Sequence, residues 1–209
     1  MDTPVFCIVG ASGTGKTTIV NHLVDEYDRV GVLVSHTTRE KREGEVHGRD
    51  YYFVNNEDFV KKTKLEKVEY AGNKYCLSYS EVMDKLASEE YGVLLVITDY
   101  HGLEQLNLLF NNYQTHQGNY FKGNYFTDHK LYSVYFKTTK WKLLGRLIKR
   151  DGLKGLKRFW HALRTGEFRS KKEQEDFDIV LNTGMLGVEA TGVIFISKIL
   201  HKLGEDFDG

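Results

Sequence analysis

Apolar residues along the chain follow two rhythms that alternate from one end to the other. Val5-Phe6-Cys7-Ile8-Val9 is an uninterrupted apolar run and predicts a buried strand. Ile19, Val20, Leu23, Val24 and Tyr27 then fall three and four apart, which puts them on one face of a helix. Gly31 to Ser35 predicts a second strand, and the charged stretch from His36 to Glu45 lacks any helical period and predicts a loop. Tyr51 to Val54 is aromatic and β-branched and predicts a strand. Asn56 is placed to cap a short helix carrying Phe59 and Val60. Leu65 to Tyr70 and Lys74 to Leu77, joined by Ala71-Gly72-Asn73, predict a hairpin. Ser80 is placed to cap a helix burying Val82, Met83 and Leu86.

Gly92 to Thr98 is the most apolar run and predicts a central parallel strand buried on both faces. The next helix carries Leu103, Leu106, Leu109 and Phe110. Asn111 to His129, rich in Asn, Gly, Tyr and Gln, repeats Gly-Asn-Tyr-Phe at Gly118 and Gly123 and predicts an inserted loop or hairpin. Leu131 to Phe136 predicts a strand. Trp141, Leu144, Leu147 and Ile148 mark one helix, and Phe159, Trp160 and Leu163 another. Phe177 to Leu181 predicts the last strand, and Val188 to Leu203 the closing helix. This alternation predicts an α/β protein with a three-layer parallel sheet and a small β-rich subdomain, from about Ser35 to Leu86, inserted in it.

The turn between the first strand and the first helix carries the chemistry. Gly10-Ala11-Ser12-Gly13-Thr14-Gly15-Lys16-Thr17 has full Gly-x-x-x-x-Gly-Lys-Thr spacing in a strand-to-helix context. Its glycines let successive amides turn inward around phosphate oxygens, and the helix N-terminus adds free N–H groups and a positive dipole end. Lys16 is expected to reach the outer phosphates and the Thr17 hydroxyl to ligate Mg²⁺.

Composition adds exclusions. The 209 residues carry zero formal net charge, so no whole-protein field draws in nucleic acid or anionic lipid. The charge is uneven, however. Lys140, Lys142, Arg146, Lys149, Arg150, Lys154, Lys157, Arg158, Arg164, Arg169, Lys171 and Lys172 crowd one segment against Asp151 and Glu167, which makes it a solvated face or a polyanion site. The two cysteines, Cys7 and Cys76, have neither metal-ligand spacing nor the number for a disulfide framework. With no leader and no membrane-spanning run apparent, a cytoplasmic location is expected, with neither nucleic acid nor membrane as partner and a monomer or homodimer as assembly.

A second anion site is suggested by Ser35-His36-Thr37-Thr38-Arg39-Glu40-Lys41-Arg42, where two arginines stand three apart, with Tyr51 downstream. Each guanidinium can clamp two oxygens. From Ser35 to Phe53 the chain fits Ser-x-Thr-Thr-Arg-x-x-Arg-x-Gly-Glu-x-x-Gly-x-x-Tyr-x-Phe, and with the phosphate loop it resembles the guanylate kinases. The likeness continues through Leu65-Glu66, Gly72-Asn73-Lys74-Tyr75, Asp99 with Gly102, Arg146-Leu147 with Arg150, and Asp178 to Asn182.

The resemblance implies transfer of the γ-phosphoryl group of ATP to GMP or dGMP on a P-loop kinase fold. It implies a core of residues 1–34, 92–139 and 177–209, a nucleotide-monophosphate-binding subdomain of about 35–91, and a helical lid of about 140–176. It implies that Gly10 to Thr18 and Asn182 bind ATP, and that Lys16, Arg39, Arg146, Arg150 and Arg158 serve the transfer. Ser35, Arg39, Arg42, Glu45, Tyr51 and Tyr75 would hold GMP through its phosphate, with Glu66, Ser78 and Asp99 toward the base. Thr17 and Asp99 would hold Mg²⁺.

Acceptor-only carboxylates suit guanine, which presents N–H donors at N1 and N2 where adenine presents an acceptor. Several positions depart from the family pattern. Leu77 stands where Thr or Ser is usual, which leaves Ser78 to supply a hydroxyl. Ile97 stands where a further Asp is usual, the segment from Arg150 to Arg158 is short, the Asn111–His129 insertion has no counterpart, and Thr183-Gly184 follows Asn182. Leu77 favours a monophosphate kinase of different or broader base choice as the alternative, and a binding module in the old GMP groove is a second, which the intact phosphate loop opposes.

Overall fold

A computed structural model describes residues 3–70, 72–110, 129–164, 168 and 171–205. The Asn111–His129 insertion, apart from His129, lies outside them, as do Ala71, Glu167 and Arg169. Strands are β1 (Val5–Val9), β2 (Val30–Leu33), β3 (His36–Thr37), β4 (Tyr52–Phe53), β5 (Lys64–Tyr70), β6 (Asn73–Ser78), β7 (Val93–Ile97), β8 (Leu131–Lys137) and β9 (Ile179–Asn182). Helices are α1 (Lys16–Glu26), α2 (Asn56–Lys61), α3 (Tyr79–Leu86), α4 (Tyr100–Phe110), α5 (Lys140–Asp151), α6 (Leu153–Arg164), α7 (Lys171–Glu175) and α8 (Val188–Glu205). The architecture is mixed α/β with a parallel sheet.

The chain divides into two compact units, residues 1–7 with 28–131, and residues 8–27 with 132–209. In the first unit the strand order is β2-β7-β1, with β2 and β7 parallel from Val30 opposite Val93 to Leu33 opposite Val96. Leu94, Leu95 and Val96 are buried, as an apolar run flanked on both faces must be. The same unit holds a four-stranded sheet in the order β4-β3-β6-β5. Strand β5 is its edge, and Gln105 of α4 covers that edge by bonding both the N–H and the C=O of Lys67, each at 3.1 Å.

In the second unit the order is β1-β8-β9, with β8 and β9 parallel from Val134 opposite Ile179 to Lys137 opposite Asn182. Helix α8 lies close on α1, where a Cβ on Gly192 would come within 2.7 Å of the His22 ring. Ala11, Leu143, Leu147, Phe159 and Ala162 form an apolar cluster that joins α5 and α6 to the turn after β1. Gly155 makes that packing possible, since its Cβ would fall 2.1 Å from the Leu147 carbonyl oxygen.

Several expectations are corrected. His36 and Thr37 form a strand rather than the start of a loop, because each has a partner on both sides, Tyr52 and Cys76 for one, Phe53 and Tyr75 for the other. Asn55, not Asn56, caps α2, its side chain accepting from the Asp58 N–H. Ser78, not Ser80, caps α3. On α5, Leu147 is buried as expected and Leu144 partly so, but Trp141 is 82% exposed and Ile148 46%, and Leu143 is buried in their place. Among the described residues no helix is long and apolar enough to cross a membrane.

Candidate active site

The second unit builds the phosphate loop. Gly10 has φ +146°, and a Cβ there would sit 2.4 Å from the Phe136 carbonyl oxygen, so only glycine lets the loop leave β1. Gly15 takes the left-handed conformation immediately before α1, and its carbonyl accepts the Ile19 N–H at 3.0 Å. Lys16 opens the helix with its ammonium folded back on the carbonyls of Gly10 and Ala11. Thr14 is buried, and its hydroxyl donates to the Ala11 carbonyl at 2.8 Å.

The loop is braced from behind. The Thr183 hydroxyl, one residue beyond β9, donates to the Thr14 carbonyl at 2.5 Å. Arg146 of α5 donates to the carbonyls of Thr183 at 2.9 Å, Thr14 at 3.3 Å and Gly13 at 3.4 Å. Arg150 reaches the Ser12 hydroxyl at 3.5 Å and pairs with Asp151 at 2.9 Å, and Arg158 of α6 reaches the same carboxylate at 3.0 Å. Three of the expected arginines therefore lie on α5 and α6 of this unit, two sharing one counter-ion. Asn182 is exposed, and its side-chain carbonyl accepts the Gly184 N–H.

The first unit builds a different cluster. Strand alternation puts Thr37, Phe53, Tyr75, Leu77 and Glu66 on one face of the four-stranded sheet. Arg39 is 8% exposed, and its guanidinium lies 5.5 Å from the ring centres of both Tyr51 and Phe53. It donates to Glu45 Oε1 at 2.7 Å, while Glu45 Oε2 accepts the Arg42 backbone N–H at 2.8 Å. Burial opposes the charge on Arg39, but the Glu45 carboxylate more than offsets this and raises its pKa. Burial alone would raise the Glu45 carboxyl; the bonds from Arg39 and Arg42 hold it below its usual range. Tyr51 and Tyr75 meet edge-on at 5.8 Å. Burial and the neighbouring Tyr75 push the Tyr51 phenol up to about 12, so it stays a neutral donor. Ser35 is buried at the end of β2, its carbonyl accepting the Tyr52 N–H.

Glu66 is aimed by a β-bulge. Lys64 pairs with Ser78 and Glu66 with Leu77, so Leu65 is the extra residue, and both Leu65 and Glu66 turn inward. Glu66 is 3% exposed; it accepts the Thr98 hydroxyl at 2.6 Å on Oε1 and the Leu77 N–H at 3.1 Å on Oε2. Burial pushes its carboxyl up to about 7, against those bonds and with help from the Asp99 charge. Asp99 caps α4, its Oδ1 accepting the Gly102 N–H at 2.9 Å. Ser78 is 1% exposed, and its oxygen accepts the Glu81 N–H at 3.3 Å as the cap of α3.

Two residues of this cluster escaped the sequence reading. Thr98 closes an apolar run, and nothing in that run marks its hydroxyl as partnered. Glu81 carried a signal, since Ser78-Tyr79-Ser80-Glu81 fits the capping-box pattern. Its carboxylate, however, takes the Val34 N–H at 2.9 Å and the Tyr52 hydroxyl at 3.2 Å, bracing the strands on either side of Ser35 and Tyr51.

A parallel-sheet α/β fold with a glycine-rich turn between β1 and α1 defines the P-loop kinase class. The guanylate kinase family model matches residues 2–109, more than half the chain, and the chain belongs to that family. It is 42% identical over 106 residues to a guanylate kinase of Neisseria gonorrhoeae, covering 49% of this chain and 51% of that one. It is 38% identical over 110 residues to a guanylate kinase of Acinetobacter baylyi, covering 51% and 52%. The chain thus spans about half the length of these curated relatives. Among solved structures, the guanylate kinase from Anaplasma phagocytophilum superposes with a TM-score of 0.59 at 22% identity, over 96% of this chain and 85% of that one, a likeness of fold.

Proposed function

We propose that the protein transfers the γ-phosphoryl group of ATP to GMP or dGMP, yielding ADP and GDP or dGDP. The observation that carries this is the buried Arg39 guanidinium, held between Tyr51 and Phe53 beside Arg42 and Tyr75 in a chain that also has an intact phosphate loop. A buried guanidinium backed by one carboxylate and faced by phenols suits a phosphate monoester. On this reading residues 35–91 form the monophosphate-binding part and residues 140–176 the lid.

The incoming nucleophile is a phosphate oxygen, largely ionised at neutral pH because its second pKa is about 6, so no general base is required. The demand is charge neutralisation and alignment. ATP and GMP together bring roughly six negative charges. Lys16, Arg39 and Arg42 supply three positive ones, and Arg146, Arg150 and Arg158 supply more while excluding water that would otherwise take the phosphoryl group. Glu66 and Asp99 accept the guanine N–H donors. Mg²⁺ fits the donor set: the Thr17 hydroxyl sits on the first turn of α1, behind glycines that keep the loop amides open to phosphate oxygens. Thr17 would hold it there, and it would neutralise charge on the ATP phosphates.

Leu77 supports a second reading, a monophosphate kinase of broader base choice, because a buried leucine offers the base no side-chain hydrogen bond. A coupled ADP-release assay with GMP, dGMP, AMP, CMP, UMP and dTMP separates the two. Turnover confined to guanine nucleotides is expected. Comparable rates with pyrimidines establish the broader enzyme, and no turnover with any of the six overturns both.

A further inference from the structure

We infer that Thr98 is a specificity-determining positioning residue: its hydroxyl holds the Glu66 carboxylate as an acceptor for the N–H edge of a guanine base. The inference rests on the guanylate-kinase reading above and deepens it. Glu66 sits on the edge strand β5, where the bulge at Leu65 turns it inward, and it has a donor on each oxygen. One donor is the Leu77 backbone N–H, fixed by the β-ladder whatever residue stands at 77. The other is the Thr98 hydroxyl at 2.6 Å. The hydroxyl nearest in sequence to Leu77, that of Ser78, is turned to the N-terminus of α3.

The fit around this pair is close. A Cβ on Gly102 would lie 2.0 Å from Thr98 Oγ1 and 2.4 Å from Glu66 Oε1, so α4 presents bare backbone where the pair passes. Gln105, one turn further along α4, fastens that helix to Lys67, the residue after Glu66. Position 66 is therefore set from two sides by α4 and the residue preceding Asp99.

Chemistry makes this contact matter for base choice. A carboxylate accepts from guanine N1–H and N2–H, whereas a protonated carboxyl presents a donor, which suits an acceptor such as adenine N1. A hydroxyl that donates to a carboxylate favours its ionised form. Around Glu66, burial and the Asp99 charge favour the neutral carboxyl and the buried Cys7 adds no positive charge, while the Thr98 hydroxyl, the Leu77 N–H and the exposed imidazole of His101 favour ionisation. Removing the Thr98 hydroxyl therefore keeps Glu66 protonated to higher pH and turns an acceptor into a donor.

The test is Thr98→Val, which keeps the shape and removes the hydroxyl, with Thr98→Ser as the rescue. In steady-state assays with GMP and AMP from pH 6 to 9, Thr98→Val is expected to raise KM for GMP about tenfold at pH 7 with kcat within about threefold. The deficit shrinks toward pH 9, the preference for GMP over AMP narrows, and Thr98→Ser restores both. GMP kinetics, pH profile and base preference matching wild type would overturn the inference while the kinase reading stands. If wild type turns over no GMP, the kinase reading fails instead. Carbon-13 NMR titration of the Glu66 carboxyl then decides the Thr98 contact without turnover: an upward shift in Thr98→Val supports it, and coincident curves overturn it.

Discussion

Glu66 is the residue whose surroundings ask most of its charge. Its pKa of about 7 lies above the usual carboxyl value of 4.5. Between those values the native state keeps a proton that the unfolded chain has lost, so stability falls as pH rises through that window and levels off above it. Urea unfolding at pH 5 and pH 8 is expected to show the stability difference between wild type and Glu66→Gln falling by up to about 3 kcal/mol between the two. The His36 imidazole, which burial pushes down to about 4, adds stability over the same rise but is common to both proteins. A pH dependence that is identical in the two proteins contradicts the buried carboxyl. Lys16 carries the complementary prediction. With its ammonium at the phosphate loop, Lys16→Met is expected to lower phosphoryl transfer at least about 10²-fold. GMP binding by calorimetry should stay within about threefold, and near-normal turnover in the variant removes Lys16 from the mechanism.

Among elements, α3 shows how a short helix braces the strands that carry a site. Ser78 caps it, and Glu81 on its first turn ties the end of β2 to Tyr52. Ser78→Ala is expected to cost about 1 kcal/mol, the worth of a cap. Glu81→Ala is expected to cost about 2 kcal/mol and to weaken GMP binding as well, because it strands the Val34 N–H, part of a brace next to Ser35. Thermal melts with and without GMP separate the two variants; equal loss of GMP binding in both refutes the brace.

The elements also mark what was legible in the residues alone. Uninterrupted apolar runs gave β1 and β7, and glycine spacing gave the turn before α1, since these are local properties. The caps at Asn55 and Ser78 each fell one or two residues from the expected place, because several polar residues in a row offer the same oxygen. On α5, Leu147 was legible, but Leu143 takes the buried place expected of Trp141, which is apolar by composition yet finds no neighbour to bury it. Strand β3 was invisible: two polar residues become a strand only through partners at Tyr52 and Cys76. In the site, the paired arginines Arg39 and Arg42 could be read from spacing, whereas Glu45 came only with the resemblance to the guanylate kinases. The Thr98 contact could not, since it joins residues 32 apart through a bulge that no periodicity records.

At the scale of the whole molecule, the phosphate loop and the Arg39 cluster belong to different units, and each should answer its own ligand. A ligand bound to the native state at 100 times its Kd stabilises by about 2.7 kcal/mol. GMP and Mg²⁺-ATP are each expected to raise the melting temperature of wild type. Arg39→Ala is expected to abolish the GMP shift and keep the ATP shift, and Lys16→Met to do the reverse. Loss of both shifts in either variant contradicts two separate anion sites.

Strand β1 changes units between Cys7 and Ile8, so each unit is stitched from an early and a late stretch of chain. The groups that steady the loop at Gly13 and Thr14 lie 133 and 169 residues downstream, in Arg146 and Thr183. During synthesis the loop therefore emerges well before either support does, and the full set of contacts on it forms only once Thr183 has been added. A nascent chain cut short before Arg146 carries the Gly10–Thr17 signature without either of those supports, and each is added only as α5 and then Thr183 are made.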